Sequence, residues 1–235
     1  MIKDSTVLAI IPARGGSKRI PNKNIKDMKG KPLIGYAIDS AKKSRYIDRF
    51  IVSTDSEEIA EVSKLLGAEV PFLRPADLSG DNVQDFPVFL HTIKWLEKEE
   101  GFRPDLIVQL RPTSPLRNVD DIDRAIEILA QNKEADSVRT VTEPEQSPYK
   151  MYSITEDGYL NPLLKLSNGS VGINMPQQEL PKAYKHVGYV DVMWTKTILE
   201  KRSMTGDKIL PLVLELAYSG INTKEDWDFY EYLIG

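Results

Sequence analysis

A cationic, glycine-rich loop follows the first apolar run of the chain, at residues 7–11. It contains Arg14, Gly15, Gly16, Ser17, Lys18, Arg19, Lys23 and Asn24. Glycines let backbone N–H groups approach an anion closely, and the cations neutralise its charge. The spacing matches neither the P-loop nor the GxGxxG fingerprint. A solvated basic turn is the alternative, but open α/β sheets bind ligands at the carboxyl ends of their strands, which favours a phosphate site.

Two further polar segments follow later strand-like runs. Arg74 and a Ser-Gly-Asp sequence at residues 79–81 come after the third such run, and RPTSPLR occupies residues 111–117. Two prolines fix the shape of the second segment, and the hydroxyls of Thr113 and Ser114 are suited to hydrogen-bond a ligand. The structural alternative is substantial here, because turns of this kind also serve only to cap helices.

Taken together, these motifs resemble the signature of the acylneuraminate cytidylyltransferases, which make CMP-sialic acid and related CMP-nonulosonic acids. The resemblance rests on RGGSKRIPNKN at residues 14–24, IVSTDSEEIAE at 51–61, LRPADLSGD at 73–81, RPTSPLR at 111–117 and LPKAY at 180–184. It covers nearly the whole chain. It implies transfer of CMP from CTP to the anomeric hydroxyl of a sugar acid, with release of pyrophosphate and with Mg²⁺ as cofactor.

The resemblance also assigns roles to individual residues. Arg14 and Lys23 match the two phosphate-contacting cations and are the implied catalytic residues, since charge that builds on the leaving group must be neutralised. The implied nucleotide-binding set further contains Gly15, Gly16, Ser17, Asn24, Arg74, Ser79 and Asp81. The implied substrate-binding set is Arg111, Thr113, Ser114, Lys150 and Gln177. For Lys150, an exposed lysine without a role is an equal alternative.

The sequence departs from the family where the metal is held. The family's Asp-Ile-Asp-Thr motif, which binds Mg²⁺, is Gly220-Ile221-Asn222-Thr223 in this chain. Asn222 still offers a carbonyl oxygen, which is a ligand type that Mg²⁺ accepts. We hypothesise that Asp191 supplies the missing charge, because an acid within an apolar strand-like run needs a cation, a hydrogen-bond network or solvent.

A second departure concerns the sugar. Arg111 stands where the family usually has glutamine, and Gln177 stands where its arm usually has an arginine that reaches a carboxylate. The nucleotide loop is intact while the acceptor side is altered. This favours an unusual nonulosonic acid, of the legionaminic or pseudaminic type, over N-acetylneuraminate. Two alternatives remain open: a GTP- or other NTP-dependent sugar-acid nucleotidyltransferase, and a non-catalytic nucleotide-binding protein of the same fold. No general base is identified.

Strand-like and helix-like runs alternate along the chain. This alternation predicts an α/β fold with a three-layer, Rossmann-like and mostly parallel sheet. The pattern includes a helix over residues 33–43, a helix capped by Asn118, a strand-like run over 209–216 and a final helix capped by Thr223 and Asp226. The alternation breaks at residues 143–186, which hold five prolines. We expect one domain over residues 1–235 with 143–186 as an inserted arm, and the resemblance implies that this arm forms a homodimer and reaches the partner's active site.

Composition limits the function classes. A net charge of −4 over 235 residues argues against non-specific nucleic-acid binding. The chain has no cysteine and two histidines, so disulfides, thiol chemistry and a zinc site are not expected. No apolar run approaches the length of a membrane span, and no signal-peptide core precedes the first strand, so we expect a cytoplasmic protein without membrane partners.

Overall fold

The computed structural model describes residues 5–215 and 220–235 of the chain. The strands span Val7–Pro12 (β1), Asp27–Met28 (β2), Lys31–Pro32 (β3), Arg49–Ser53 (β4), Leu106–Gln109 (β5), Ser137–Thr142 (β6), Tyr152–Ile154 (β7), Leu160–Pro162 (β8), Lys185–Trp194 (β9) and Ile209–Val213 (β10). The helices span Leu33–Lys43 (α1), Glu57–Leu65 (α2), Asp85–Glu100 (α3), Val119–Gln131 (α4), Thr195–Leu199 (α5) and Lys224–Ile234 (α6). The predicted alternation of strands and helices is confirmed by this order.

Six strands of the described residues form the central sheet, in the order β10-β6-β9-β5-β1-β4. All of them run in one direction except β9, which is antiparallel to both of its neighbours, β5 and β6. β1 lies between β5 and β4, and its residues 7–11 are fully buried. A strand that is apolar on both faces is typical of a sheet covered on both sides. The predicted mostly parallel sheet is confirmed.

Helices cover both faces of this sheet and complete three layers. On one face, α1 and α4 pack through residues such as Ile38 and Ile126. On the other face, α3 and α5 pack through residues such as Phe89 and Ile198. α6 belongs to a third apolar cluster, around Trp227, beside the β2–β3 hairpin. None of the described helices combines the length and the apolar character needed to cross a bilayer.

The helix starts agree with the caps expected from the sequence. Oδ1 of Asn118 accepts a hydrogen bond from the N–H of Asp120 (3.1 Å) at the start of α4. Thr223 and Asp226 form a capping box at the start of α6. The carboxylate of Asp226 also accepts the N–H of Asn222 (2.7 Å), which fixes the segment before α6. The strand expected over 209–216 ends at Val213, and residue 216 lies outside the described residues.

The segment that breaks the alternation carries the β7–β8 hairpin and two short 3-10 helices, Pro148–Lys150 and Gln177–Glu179. Its apolar side chains lie open to solvent in the single chain. Ile154 is 75% exposed, Tyr159 is 72% exposed and Leu160 is 64% exposed. Within one chain, these three side chains are therefore not buried.

Candidate active site

A cleft of about 430 Å³ lies beyond the carboxyl ends of β1 and β5. Its walls come from the loop after β1, the start of α3, the turn after β5 and the segment before α6. Six of the lining side chains are cations: Arg14, Lys18, Arg19, Lys23, Arg74 and Arg111. Among the described lining residues, Asp85 is the one carboxylate. A concave surface with this excess of positive charge concentrates anions.

Hydrogen bonds to backbone and side chains fix the shape of the glycine-rich loop. The N–H of Gly15 donates to Oδ1 of Asp55 (2.9 Å), so this donor is already used. Gly16 has a φ of +63°, a left-handed conformation that favours glycine. Nδ2 of the buried Asn24 donates to the carbonyl of Arg14 (2.9 Å). Asn24 lines the cleft, as does Ser17, and its amide braces the loop.

Lys23 joins this loop to the segment before α6. Its Nζ donates to the carbonyl of Ile221 at 2.8 Å. Burial lowers the pKa of Lys23, and the nearby charges of Arg14 and Arg19 lower it further, against a smaller opposing effect of Asp226. A bound phosphate would offset the repulsion among these cations. Lys23 lines the cleft, and its phosphate-contacting role stays a prediction.

Asp81 pairs with two cations of the loop, and one of them, Arg14, was predicted to contact phosphate. Its Oδ1 accepts from Nη1 of Arg14 (2.7 Å), and its Oδ2 pairs with Nζ of Lys18. Hydrogen bonds from Lys18 and Arg14 lower the pKa of Asp81, so the carboxylate is charged near neutral pH. A carboxylate repels phosphate, so we interpret Asp81 as a competitor of the nucleotide at this site. Ser79 does not line the cleft, and its hydroxyl donates to the carbonyl of Pro75 (3.0 Å).

Arg74 lies at the floor of the cleft and is only 6% exposed. Its Nη2 donates to the carbonyl of Ser53 (2.7 Å) and its Nη1 to the carbonyl of Leu78 (3.3 Å). Its Nε is buried without a hydrogen-bond partner among the described residues. Burial lowers the pKa of Arg74. Arg74 therefore links the end of β4 to the 3-10 helix Ala76–Leu78. It also places a positive charge in the wall of the cleft.

The turn at residues 111–117 is anchored from beneath by Arg117. The Nε of Arg117 donates to the carbonyl of Tyr189 (2.7 Å), and its Nη2 donates to the carbonyl of Arg111 (2.8 Å). Burial lowers the pKa of Arg117 to about 10. Thr113 lines the cleft, as predicted, whereas Ser114 is buried at 3% exposure and does not. The sequence pattern alone did not separate the ligand-facing hydroxyl from the structural one.

Asp85 and Gln109 are candidate site residues that sequence reasoning missed. Oδ2 of Asp85 accepts from Nε2 of Gln109 (2.8 Å) and from Nη2 of Arg111 (2.5 Å). Burial alone would raise the pKa of Asp85, but the charge of Arg111 and these two hydrogen bonds outweigh it and hold the pKa below its ordinary value. Asp85 reads in the sequence as an ordinary first-turn acid of α3. The available signal was Gln109, a polar residue at the carboxyl end of the buried strand β5.

Asp191 does not line the cleft and is neutralised by cations. It is 1% exposed, and its Oδ2 lies 2.8 Å from Nη1 of Arg139 and 3.7 Å from Nη1 of Arg111. Nε2 of His186 lies 3.0 Å from its Oδ1. The expectation that this acid requires a cation or a network is confirmed. Its hypothesised metal role finds no support in this position, because a carboxylate between guanidinium groups has little charge left for a divalent ion.

Asn222 lines the cleft, and its Nδ2 donates to the carbonyl of Gly220 (2.8 Å). Across residues 5–215 and 220–235, no three Asp, Glu or His side chains converge in a way that could hold a metal ion. A β-carbon on Gly220 would lie 2.9 Å from Oγ1 of Thr113. The family's aspartate therefore does not fit at position 220 unless Thr113 moves.

The two predicted arm residues lie apart from this cleft in the single chain. Gln177 lines a second cavity of about 430 Å³, whose walls come from residues 143–147 and 177–183. Lys150 ends the short 3-10 helix Pro148–Lys150 and does not line the cleft. The predicted site residues that the structure brings to the cleft are Arg14, Ser17, Lys23, Asn24, Arg74, Arg111, Thr113 and Asn222. Gly15 and Gly16 line a separate, smaller pocket, and Asp81 does not line the cleft. The structure does not bring Lys150, Gln177, Ser114, Ser79 or Asp191 to the cleft either.

The chain matches the family described as Cytidylyltransferase over residues 8–155, more than half of its length. It is 34% identical over 230 residues to the CMP-N,N'-diacetyllegionaminic acid synthase of Legionella pneumophila, which covers 97% of this chain and 96% of that protein. It is 44% identical over 126 residues, 54% of each chain, to a pseudaminic acid cytidylyltransferase of Campylobacter jejuni. In fold, it resembles a solved CMP:2-keto-3-deoxy-manno-octonic acid synthetase complexed with CTP, with a TM-score of 0.74 at 15% identity and 98% coverage of both chains.

These comparisons agree with the motifs and with the sheet. The solved structure confirms the Rossmann-like nucleotidyltransferase fold, and the family match covers the loop after β1, Arg74 and the 111–117 turn. The near full-length relative extends the likeness through the arm to α6. The resemblance stated from the motifs is thereby confirmed, and this chain belongs to the cytidylyltransferase family of nucleotidyltransferases.

Proposed function

We propose that this enzyme joins CMP from CTP to a nonulosonic acid. The observation that carries the proposal is the cleft at the end of β1, whose described lining includes six cations and one carboxylate. The names of the relatives support CTP and sugar acids as the substrate classes. In the reaction, the anomeric hydroxyl oxygen would attack the α-phosphorus, and the bond from that phosphorus to the bridging oxygen would break to release pyrophosphate.

The cations of the loop would carry most of the electrostatic work. Phosphoryl chemistry depends mainly on positioning and on neutralising charge at the leaving group. Arg14 offers a planar fork of donors to phosphate oxygens, and Lys23 offers a mobile point charge. Lys18 is released for the same purpose once Asp81 leaves it.

We further propose that Mg²⁺ accompanies the triphosphate. Mg²⁺ usually takes few ligands from the protein and the rest from phosphates and water. The cleft is suited to such a metal, since Asn222 lines it. The Nδ2 of Asn222 donates a hydrogen bond to the carbonyl of Gly220, which leaves Oδ1 to coordinate a metal. The ion would supply charge neutralisation on the phosphates when bound.

We also propose a homodimer in the cytoplasm, where nucleoside triphosphates are available. The exposed apolar side chains of the arm, such as Ile154 and Tyr159, support association of two copies. In such a dimer, Lys150 and Gln177 would reach the sugar at the partner's cleft. This placement would explain why neither residue lines the cleft of its own chain.

The rival proposal is a nucleotide-binding protein without turnover. Gly220 and Asn222 favour it, because they remove both carboxylates of the family's metal motif. Binding alone would also need the cations of the loop, so Arg14 and Lys23 do not separate the two proposals.

Pyrophosphate release tests the proposal directly. CTP, GTP, ATP and UTP are each incubated with Mg²⁺ and with N-acetylneuraminate, a legionaminic-type acid or a pseudaminic-type acid. We expect release that requires CTP and one legionaminic- or pseudaminic-type acid. Release that requires GTP instead would show that the enzyme transfers GMP and not CMP. Silence across the panel with CTP bound in calorimetry would favour the non-catalytic rival.

A further inference from the structure

A nonulosonic acid carries a carboxylate next to its anomeric carbon, and an enzyme that accepts it needs a cation for this group beyond those that hold the phosphates. Four of the six cleft cations belong to the loop after β1, and a triphosphate would use them. Arg74 is buried, and its Nη2 and Nη1 donate hydrogen bonds to the carbonyls of Ser53 and Leu78. Arg111 remains, from the end of β5 on the other wall.

Arg111 presents its guanidinium to the cleft and is held there by a carboxylate. Its side chain is 30% exposed, and its Nη2 donates to Oδ2 of Asp85 at 2.5 Å. A guanidinium binds a carboxylate through two parallel N–H groups, so it suits a second carboxylate as well as a phosphate. Asp85 also accepts a hydrogen bond from Nε2 of Gln109 (2.8 Å), so its carboxylate keeps a hydrogen-bond partner if Arg111 turns towards a ligand.

The neighbouring strand β9 is shaped around the same guanidinium. Gly188 has a φ of +62°, and a β-carbon there would lie 2.7 Å from Nη1 of Arg111. Asp191 lies behind Nη1, at 3.7 Å, and is itself neutralised by Arg139 at 2.8 Å. Arg111 is therefore positioned from two sides while a face of its side chain stays open to the cleft.

We propose that Arg111 binds the carboxylate of the sugar acid and sets the requirement for an acid, with Asp85 holding the guanidinium in the empty cleft. This inference rests on the proposed function. In the family, an arginine of the arm reaches a carboxylate, and this chain has Gln177 at that position. Arg111, on the wall of the cleft, would bind the carboxylate instead. Arg111 acts here in specificity and not in the transfer of the nucleotide.

The test compares an acid with its neutral analogue. The sugar acid that supports pyrophosphate release in wild type is assayed beside its C1 amide, with wild type and Arg111→Gln. We expect the variant to raise KM for the acid about 10- to 100-fold, as for loss of a charge-assisted hydrogen bond, with little change in kcat. The amide should be used equally by both, so the preference for acid over amide disappears. The dissociation constant of CTP, measured by calorimetry, should stay within about 2-fold of wild type.

Further variants separate recognition from structure. Arg111→Lys keeps the charge and should retain part of the preference for acid. Gly188→Ala should push Nη1 away and weaken the preference as well. Arg124→Gln, the same replacement at an exposed arginine of α4, is the matched control and should leave the preference unchanged.

The outcomes are distinct. An unchanged acid-to-amide ratio in Arg111→Gln overturns the inference and leaves the proposed function standing. A loss of CTP binding equal to the loss of turnover also overturns it, because Arg111 would then serve the nucleotide. Wild type that is inactive with every sugar acid removes the proposed function, and this inference falls with it.

Discussion

Replacing Asp191 with asparagine separates a structural carboxylate from a metal ligand. Asp191 is 1% exposed and bonds Arg139 at 2.8 Å, with Nε2 of His186 3.0 Å from its other oxygen. Removing one partner of a buried ion pair leaves an uncompensated charge and costs about 3–5 kcal/mol. Asparagine keeps an acceptor for Arg139, whose side chain is 15% exposed, so the lower end of that range applies.

We therefore expect Asp191→Asn to lower the free energy of unfolding by about 3 kcal/mol. In a protein of this size, each kcal/mol lowers Tm by about 2–4 °C, so Tm should fall by about 6–12 °C. The midpoint of urea unfolding, followed by circular dichroism, measures the loss. The Mg²⁺ concentration that gives half-maximal pyrophosphate release, measured well below the new Tm, should not change.

Two controls sharpen this experiment. Asp228→Asn removes an exposed carboxylate that pairs with Lys224 on α6, and it should change the urea midpoint little. Arg139→Met in the Asp191→Asn background removes the unpaired charge and should recover part of the lost stability. An unchanged urea midpoint in Asp191→Asn, together with a tenfold higher requirement for Mg²⁺, would show that Asp191 is a metal ligand and not a structural carboxylate.

Three further predictions concern the cleft. Asp81→Asn frees Arg14 and the neighbouring lysine, so calorimetry should show CTP binding a few-fold more tightly, about the scale of exposed ion pairs; weaker binding would mean that Asp81 assists the nucleotide. The pKa of Lys23 is lowered, so this lysine loses its charge at a lower pH than an ordinary lysine, and the affinity for CTP should fall as the pH rises through that pKa. Lys23→Arg should stay charged, so its affinity for CTP should fall less at alkaline pH. An identical dependence of CTP affinity on pH in both proteins would contradict this. Gly220→Asp should lower stability by about 1–3 kcal/mol, since its β-carbon crowds Thr113; Thr113→Ala should relieve it in urea unfolding, and a fully stable single variant would show that the site relaxes freely.

Local patterns in the sequence predicted the fold well. The caps at Asn118 and Thr223 are short-range signals, and the structure contains both. The buried strand β1 was visible in the sequence as the apolar run at residues 7–11. The antiparallel direction of β9 was not predicted, because strand direction depends on how the chain crosses between layers, and periodicity carries no information about that.

The site was predictable only where it is local in the chain. The loop from Arg14 to Lys23 gathers its cations within ten residues, so its chemistry could be inferred from composition. The contact between Asp85 and Gln109 spans two elements, and neither residue is unusual in its own segment. The partners of Asp191 come from β6, from β9 itself and from the turn after β5, and lateral contacts of this kind depend on the register of the sheet.

The cationic loop is proposed to bind CTP for nucleotide transfer, and the variant Lys23→Met removes one of its charges. Lys26→Met is the matched control from the same segment, since Lys26 is exposed and does not line the cleft. With CTP, Mg²⁺ and the preferred sugar acid, pyrophosphate release by Lys23→Met should fall about 100- to 1,000-fold, the scale of losing one stabilising donor. Lys26→Met should stay near wild type. Full release by a folded Lys23→Met would contradict the account.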